Sequence, residues 1–138
     1  MTDIPQTLAD ALATCSNFGE RVAFQDETRS VSFLELTQRT STLIGALQQK
    51  GLKPGDRIAL LSRNSVSAVE CIFTASAGFI LVPLNWRLAP AELNQLVKDC
   101  APTAFVSDST YLDEVDNTVL AGVDIDLKID LGNTHHSD

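Results

Sequence analysis

The stretch that decides the fold is RIALLSRNSVSAVECIFTASAGFILVPL, residues 57–84. It begins with the almost continuous apolar run of residues 57–62, which is typical of a strand in a sheet covered on both faces. Asn64-Ser65 can cap a following helix, and Gly78 can end it. The apolar residues 79–84 then indicate a second strand, which we expect to be central in the sheet. Strand, helix and strand in this order predict a parallel sheet, since parallel strands need a crossover connection.

Upstream of this stretch, the pattern predicts two helices and a hairpin. Apolar residues recur at helical spacing over residues 6–15, and residues 21–26 and 30–33 form a predicted hairpin around a polar turn. Ser32 and Glu35 have the spacing of a capping box, which starts a helix that Gly51 would end. Residues 53–56 then form a tight turn before the strand at residue 57.

Downstream, helices and strands continue to alternate. Pro90 suits the first turn of a helix that Pro102 stops, and residues 104–108 read as a strand. A weaker helix is predicted over residues 111–120 and a last strand over 126–131. The sequence therefore predicts an α/β fold with a parallel, Rossmann-like sheet layer and a small N-terminal hairpin. We expect one domain over residues 1–131 and a polar, disordered tail over residues 132–138.

Composition narrows the class of partners and the compartment. The 138 residues carry a formal net charge of −8, which argues against a protein that grips nucleic acid. Cys15, Cys71 and Cys100 lie far apart in apolar contexts, so we expect core residues rather than disulfides. The N-terminus resembles no signal peptide, and no apolar run approaches the ~20 residues of a membrane span. These observations predict a cytoplasmic protein.

A search for catalytic motifs finds none. The glycines give neither GxGxxG nor GxxxxGK[ST], and the glycine-bearing residues 51–56 precede a strand, so a turn is favoured over a phosphate loop. His135 and His136 lie in the tail, outside any framework for a catalytic triad. The acidic residues Asp113, Glu114 and Asp116 indicate a solvated helix face rather than a metal site. We therefore predict no catalytic residue and no metal ligand.

Three residues are candidates for ligand binding. Trp86, the only tryptophan, and Arg87 follow the strand at residues 79–84, and Asp108 ends the strand at residues 104–108. Ligand sites in α/β proteins gather at the carboxyl ends of strands. The competing structural interpretation has Trp86 as a partly buried cover, Arg87 capping or pairing with a carboxylate, and Asp108 capping a loop.

Five motifs, in order, resemble the start of the adenylate-forming enzymes, which include acyl-CoA synthetases, luciferases and peptide-synthetase adenylation domains. The motifs are SFLEL (32–36), GLKPGDRIALL (51–61), AGFILVPLN (77–85), RLAPAELNQLVKD (87–99) and AFVSD (104–108). The NWRL segment, residues 85–88, is most similar to the fatty-acyl and aromatic-acyl CoA ligase branch. The resemblance covers residues 4–131, and implies a partial N-terminal subdomain of the adenylate-forming fold.

The resemblance implies ATP, Mg and coenzyme A as cofactors of the complete enzyme, with a carboxylic acid as substrate. The family's phosphate loop ending in lysine, its adenine-stacking aromatic residue, its ribose-binding aspartate and its catalytic lysine do not occur in this sequence. No catalytic residue is therefore carried over. The family often has Thr or Ser before the proline of the helix after NWRL, where this chain has Ala89, which cannot cap the helix.

Three functions follow as hypotheses. The first is the N-terminal part of an ATP-dependent acyl-CoA synthetase-like ligase, inactive alone. The second is a non-catalytic interaction or oligomerisation domain derived from such a ligase, which pairs with itself or with the remainder of the enzyme through apolar surface. The third is a small nucleotide or coenzyme A binder that uses strand ends alone, which the lack of a phosphate loop disfavours.

Overall fold

A computed structural model describes residues 4–108 and 115–131, and within them the chain forms two compact units. The first, here called the helical unit, comprises residues 4–54 and 65–79. The second, the sheet unit, comprises residues 55–64, 80–108 and 115–131. The parallel-sheet expectation therefore applies to the sheet unit, and the hairpin belongs to the helical unit.

The helical unit contains three helices and an antiparallel hairpin, as the spacing of apolar residues predicts. Its elements are α1 (Leu8–Cys15), β1 (Val22–Gln25), β2 (Ser30–Ser32), α2 (Phe33–Gln49) and α3 (Val66–Phe73). Short 3₁₀ turns follow α1 at Ser16–Phe18 and α3 at Thr74–Ala77. The capping box at the start of α2 is present: the Ser32 hydroxyl accepts from the backbone N–H of Glu35, whose carboxylate accepts from that of Ser32.

A buried cluster holds the helical unit together. Leu36 of α2 and Val31 of β2 are fully buried and pack with residues of the first and third helices, Leu12, Cys15 and Val66. The amphipathic stripe of α2 therefore has the partner that its spacing predicts.

Two acidic side chains tie the hairpin of the helical unit to α3. The Asp26 carboxylate accepts from the backbone N–H of Val66 at 2.8 Å and from those of Thr28 and Arg29 at 2.9 Å each. Glu70, only 6% exposed, accepts from the guanidinium groups of Arg29 at 3.0 Å and Arg39 at 2.8 Å. The Asp26–Val66 and Arg29–Glu70 contacts join residues 40 and 41 positions apart in the chain.

The sheet unit contains four parallel strands in the order β4-β3-β5-β6. The strands are β3 (Arg57–Leu61), β4 (Ile80–Pro83), β5 (Ala104–Ser107) and β6 (Leu127–Asp130), and helix α4 (Pro90–Cys100) lies between β4 and β5 in sequence. The parallel sheet is confirmed.

The expectation that residues 79–84 form a central strand is wrong within the described residues. β4 is at an edge, because the connection after it returns the chain to the far side of β3, where β5 pairs. An apolar run reports burial, not the number of neighbouring strands. Phe79 is 3% exposed but precedes the strand, and Ile80 is 47% exposed.

Both faces of β3 are buried, as its continuous apolar run predicts. On one face, Ala59 and Leu61 pack with Phe105 of β5 and with Leu93 and Val97 of α4. On the other face, Ile58 and Leu60 are 0% and 5% exposed. The centre of β3 is therefore buried and apolar on both faces.

The remaining expectations are met in part. Within the predicted helix over residues 111–120, a π-helical turn spans Val115–Val119, and residues 109–114 lie outside the described residues. The tail at residues 132–138, with His135 and His136, also lies outside them, as do Asp113, Glu114 and the side chain of Asp116. Within the described ranges, none of the helices has the length and apolar character that a bilayer crossing requires.

Candidate functional site

The carboxyl ends of three neighbouring strands meet in the sheet unit, and they bring the three candidate residues to one edge. Leu60 of β3 is in register with Pro83 of β4, and Leu61 with Ser107 of β5. The residues that follow each strand, Arg63, Trp86 and Asp108, therefore lie near one another. This edge is where open parallel sheets bind ligands.

Trp86 is the centre of the cluster. It is partly buried and packs against the apolar cluster that contains Leu93 and Val97 of α4. Two guanidinium groups lie over its ring, with the Arg63 Cζ atom 5.1 Å and the Arg87 Cζ atom 4.8 Å from the ring centroid. Both distances are those of cation–π contacts.

The turn of residues 85–88 fixes the orientation of Trp86 and Arg87. The Asn85 side-chain oxygen accepts from the backbone N–H of Arg87 at 3.1 Å, and the Asn85 carbonyl accepts from that of Leu88 at 3.1 Å. An Asn side chain that bonds the backbone two residues on is a common way to close a turn. The NWRL segment is therefore a defined turn that presents an indole and a guanidinium side by side.

Asp108 fixes the loop after β3, which carries Arg63. Its Oδ2 atom accepts from the backbone N–H of Arg63 at 3.1 Å and lies 3.4 Å from the Ser62 hydroxyl oxygen. Its own backbone N–H donates to the Leu61 carbonyl at 3.3 Å. The loop-capping interpretation of Asp108 is therefore confirmed, and the capped loop is the one that carries Arg63.

Of the four residues at this site, Trp86 and Asp108 have the structural roles that the sequence predicts, Arg87 differs from its expected role, and Arg63 was not predicted. Trp86 is a partly buried cover, as expected. Within the described ranges Arg87 forms no ion pair and stacks on Trp86 instead, so the expected pairing with a carboxylate is not found there. Arg63 was not a candidate, although it follows β3 as Trp86 follows β4. Its position just after the end of β3 is the sequence signal that could have identified Arg63.

Chemically, two guanidinium groups beside an indole suit an anion attached to a flat or apolar group. Guanidinium forks bind phosphate and carboxylate oxygens in bidentate fashion and also stack on aromatic rings. Arg63 and Arg87 are both exposed, so a ligand can reach them.

The other sequence candidates are structural. Gly51 and Gly55 adopt φ angles of 98° and 91°, and the Leu52 N–H bonds the Leu47 carbonyl, so the segment 51–56 ends a helix and turns. The three cysteines are free. Burial raises the pKa of the Cys71 thiol to about 12 and also raises the pKa values of the Cys15 and Cys100 thiols, so none is a ready nucleophile. Across residues 4–108 and 115–131 no three His, Cys, Asp or Glu side chains converge as a metal site.

The fold and the position of Arg63, Trp86 and Arg87 define a class of protein: a parallel α/β unit in which the loops at the carboxyl ends of the strands can contact an anionic ligand. The sequence profile of the AMP-binding enzymes matches residues 12–135. The chain belongs to this family.

Curated relatives agree with the assignment. The chain is 30% identical over 101 residues to a 3-oxocholest-4-en-26-oate–CoA ligase of Rhodococcus rhodochrous, covering 72% of this chain and 18% of that protein. It is 36% identical over 74 residues to a fatty acid–[acyl-carrier-protein] ligase of Streptomyces coeruleorubidus, covering 53% of this chain and 14% of that protein.

A solved structure extends the likeness to the fold. A long-chain-fatty-acid–CoA ligase from Archaeoglobus fulgidus superposes with a TM-score of 0.83 at 25% identity, covering 95% of this chain and 28% of that chain. The 138 residues therefore span less than a third of these proteins.

Proposed function

We propose that the chain is the N-terminal part of an ATP-dependent acyl-CoA ligase. In the complete reaction, a carboxylate attacks the α-phosphate of ATP to give an acyl-adenylate and pyrophosphate. The thiol of coenzyme A then displaces AMP and forms the thioester. The observation that carries the proposal is the match to the AMP-binding family over residues 12–135, in a chain that spans about a fifth of the first curated relative.

The same proposal holds that the chain has no ligase activity by itself. Phosphoryl and adenylyl transfer depend on groups that neutralise and orient the phosphates. The lysine-ending phosphate loop and the catalytic lysine that the family resemblance implies are not among these 138 residues. The chain would contribute a scaffold and one rim of the site, and the longer polypeptide would contribute the chemistry.

The residues of that rim fit part of an adenine-nucleotide cofactor. Arg63 and Arg87 can bind phosphate oxygens of ATP or coenzyme A, and Trp86 supplies an aromatic surface beside them. We propose that Arg87 and Trp86 lie along the path by which coenzyme A reaches the acyl-adenylate. The described residues offer no carboxylate set for Mg²⁺, so the fit does not extend to the metal.

ATP–pyrophosphate exchange with a panel of fatty and aromatic acids tests the proposal. The 138-residue chain should give no exchange above a protein-free blank. The same chain lengthened through its downstream reading frame should give acid-dependent exchange. Turnover by the short chain would refute the claim of inactivity, and an inactive long chain with every acid would count against the ligase itself.

A second candidate function, an interaction or self-association domain, is favoured by exposed apolar side chains. Phe18, Val22 and Leu34 of the helical unit are 44%, 57% and 41% exposed. Large exposed apolar residues often mark a surface that another protein covers. Sedimentation at rising concentration tests this. The second function would be excluded if the chain is monomeric at all concentrations and does not bind the separately supplied remainder of the ligase.

We further propose a cytoplasmic location and a domain over residues 1–131 with a polar tail at 132–138. The free state of the three cysteines supports a reducing compartment. The redox state of the thiols in cells checks the location. Protein taken from cells, unfolded without a reductant and treated with a thiol reagent should be labelled at all three cysteines, and disulfide-linked species would contradict the location.

A further inference from the structure

The contact between the Arg63 guanidinium and Trp86 needs a structural explanation. Its side chain is long and exposed, and it stands in the loop between β3 and α3, yet its guanidinium lies over Trp86. A flexible arginine in a free loop loses much side-chain entropy when it adopts one geometry. A backbone that is already fixed where the side chain starts lowers the total entropy cost of this geometry.

Asp108 supplies that fixation from the neighbouring strand. Its Oδ2 atom accepts the Arg63 backbone N–H at 3.1 Å, and the Ser62 hydroxyl lies within 3.4 Å of the same oxygen. The Ser62 hydroxyl also donates to the Arg63 carbonyl at 2.7 Å. One carboxylate at the end of β5 therefore sets the backbone path at the end of β3.

We propose that Asp108 is a positioning residue for anion binding at Trp86: it fixes the loop that places the Arg63 guanidinium over the indole, which the Arg87 guanidinium also contacts. The proposal deepens the function proposed above, because the rim that it organises is the one assigned to the phosphates of ATP or coenzyme A. It makes an acidic residue necessary for attracting anions.

This role is separable from simple electrostatics. If Asp108 acted only through its charge, its removal would strengthen anion attraction, and Asp108→Asn and Asp108→Ala would have the same effect. If it acts by position, the two variants differ. Asparagine keeps a side-chain oxygen that can accept the Arg63 N–H, whereas alanine keeps none.

Trp86 reports directly on the outcome because it is the only tryptophan of the chain. Quenching of its fluorescence by iodide depends on local positive charge, whereas quenching by neutral acrylamide measures accessibility alone. The ratio of the two quenching constants isolates the potential at the indole. For one charge about 5 Å away at 0.15 M ionic strength, screened Coulomb attraction changes the local iodide concentration roughly twofold.

The expected results are ordered. Arg63→Gln should lower the iodide-to-acrylamide ratio about twofold, and Asp108→Ala should lower it toward the same value. Asp108→Asn should keep the wild-type ratio or exceed it. Arg57→Gln is the matched control, since Arg57 begins β3 at the opposite end and bonds the Cys100 carbonyl. It should leave the ratio unchanged.

Two results would overturn the proposal. The first is an equal rise of the ratio in Asp108→Ala and Asp108→Asn, which would make Asp108 a charge and nothing more. The second is an Arg63→Gln ratio equal to wild type. Should Asp108→Ala fail to fold, hydrogen exchange of the wild-type Arg63 amide decides instead: protection supports the proposal, and exchange at the rate of a free amide contradicts it. All these readouts are independent of ligase activity, so the proposed function can fail while this proposal stands.

Discussion

Replacing Asp26 should destabilise the chain more than replacing any exposed residue of the hairpin, because both oxygens of this carboxylate accept hydrogen bonds. Oδ2 accepts the N–H of Val66 at the start of α3 at 2.8 Å. Oδ1 accepts the N–H groups of Thr28 and Arg29 and the Thr28 hydroxyl, each at 2.9 Å. The Val66 bond, followed by the other three, holds the pKa of Asp26 well below its ordinary value.

The magnitude follows from these bonds. Loss of a side-chain cap at a helix start costs about 1 kcal/mol. A hydrogen bond to a charged group contributes ~1.5–3 kcal/mol, and bonds that share one carboxylate are not additive. Asp26→Ala should therefore lower the free energy of unfolding by about 3 kcal/mol. At ~2 cal/mol/K of unfolding entropy per residue, this lowers Tm by about 10 °C.

Asparagine should not rescue the site. Its amide has one acceptor oxygen, which can accept either from the Val66 N–H or from the N–H groups of Thr28 and Arg29. Its NH₂ group would then face another N–H donor. We expect Asp26→Asn to cost about 2 kcal/mol. The adjacent exposed Glu27 is the matched control, and Glu27→Ala should change stability by less than about 0.5 kcal/mol. Urea unfolding followed by far-ultraviolet circular dichroism at pH 7 measures all three variants.

The pH dependence gives an independent check with a fixed sign. The pKa of Asp26 is lower in the folded chain than in the unfolded chain, so its stabilisation is complete above the unfolded value of about 4 and is lost as the pH falls below it. The stability gap between wild type and Asp26→Asn should therefore narrow from pH 5 to pH 2. A gap that is constant over this range, or an Asn variant as stable as wild type at pH 7, would refute the reasoning.

Four further substitutions, at three places in the fold, are tested by the same unfolding measurement. Ala89 occupies the N-cap of α4 with φ −66° and ψ 150° and no side-chain bond, so Ala89→Ser should stabilise the chain by about 1 kcal/mol; a loss of stability would contradict the assigned cap. Glu70→Ala should cost about 3 kcal/mol because it leaves the Arg29 side chain, which is only 13% exposed, without its carboxylate. Arg39→Ala should cost about 1 kcal/mol or less, since the Arg39 side chain is 38% exposed; equal costs would disprove this ranking. Gly78→Ala should cost about 2 kcal/mol because φ is 95° and the added Cβ would lie 3.1 Å from a proline Cβ; a neutral effect would show that this turn relaxes freely.

Local patterns predicted most of the elements because their causes are local. The capping box of Ser32 and Glu35, the apolar stripe of α2 and Pro90 at the first turn of α4 each act within a few residues of the chain. Such features need no knowledge of tertiary contacts. The alternation of elements then predicted the parallel sheet.

Long-range pairings account for the features that the sequence did not reveal. The edge position of β4 depends on which side of β3 the chain returns to, and an apolar run carries no information about this. The bond from Val66 to Asp26 spans forty residues, and the stacking of Arg63 on Trp86 spans twenty-three. Individually these residues look like ordinary loop residues, and only the strand ends bring Arg63, Trp86 and Asp108 together.

The central claim is that these residues belong to a longer acyl-CoA ligase. Sequencing the messenger RNA of the native gene beyond the codon for Asp138 tests it most directly. The account predicts an open reading frame that encodes, some tens of residues on, a loop rich in threonine, serine and glycine that ends in lysine. A stop codon directly after Asp138 in the native transcript would contradict the ligase assignment and favour the interaction domain.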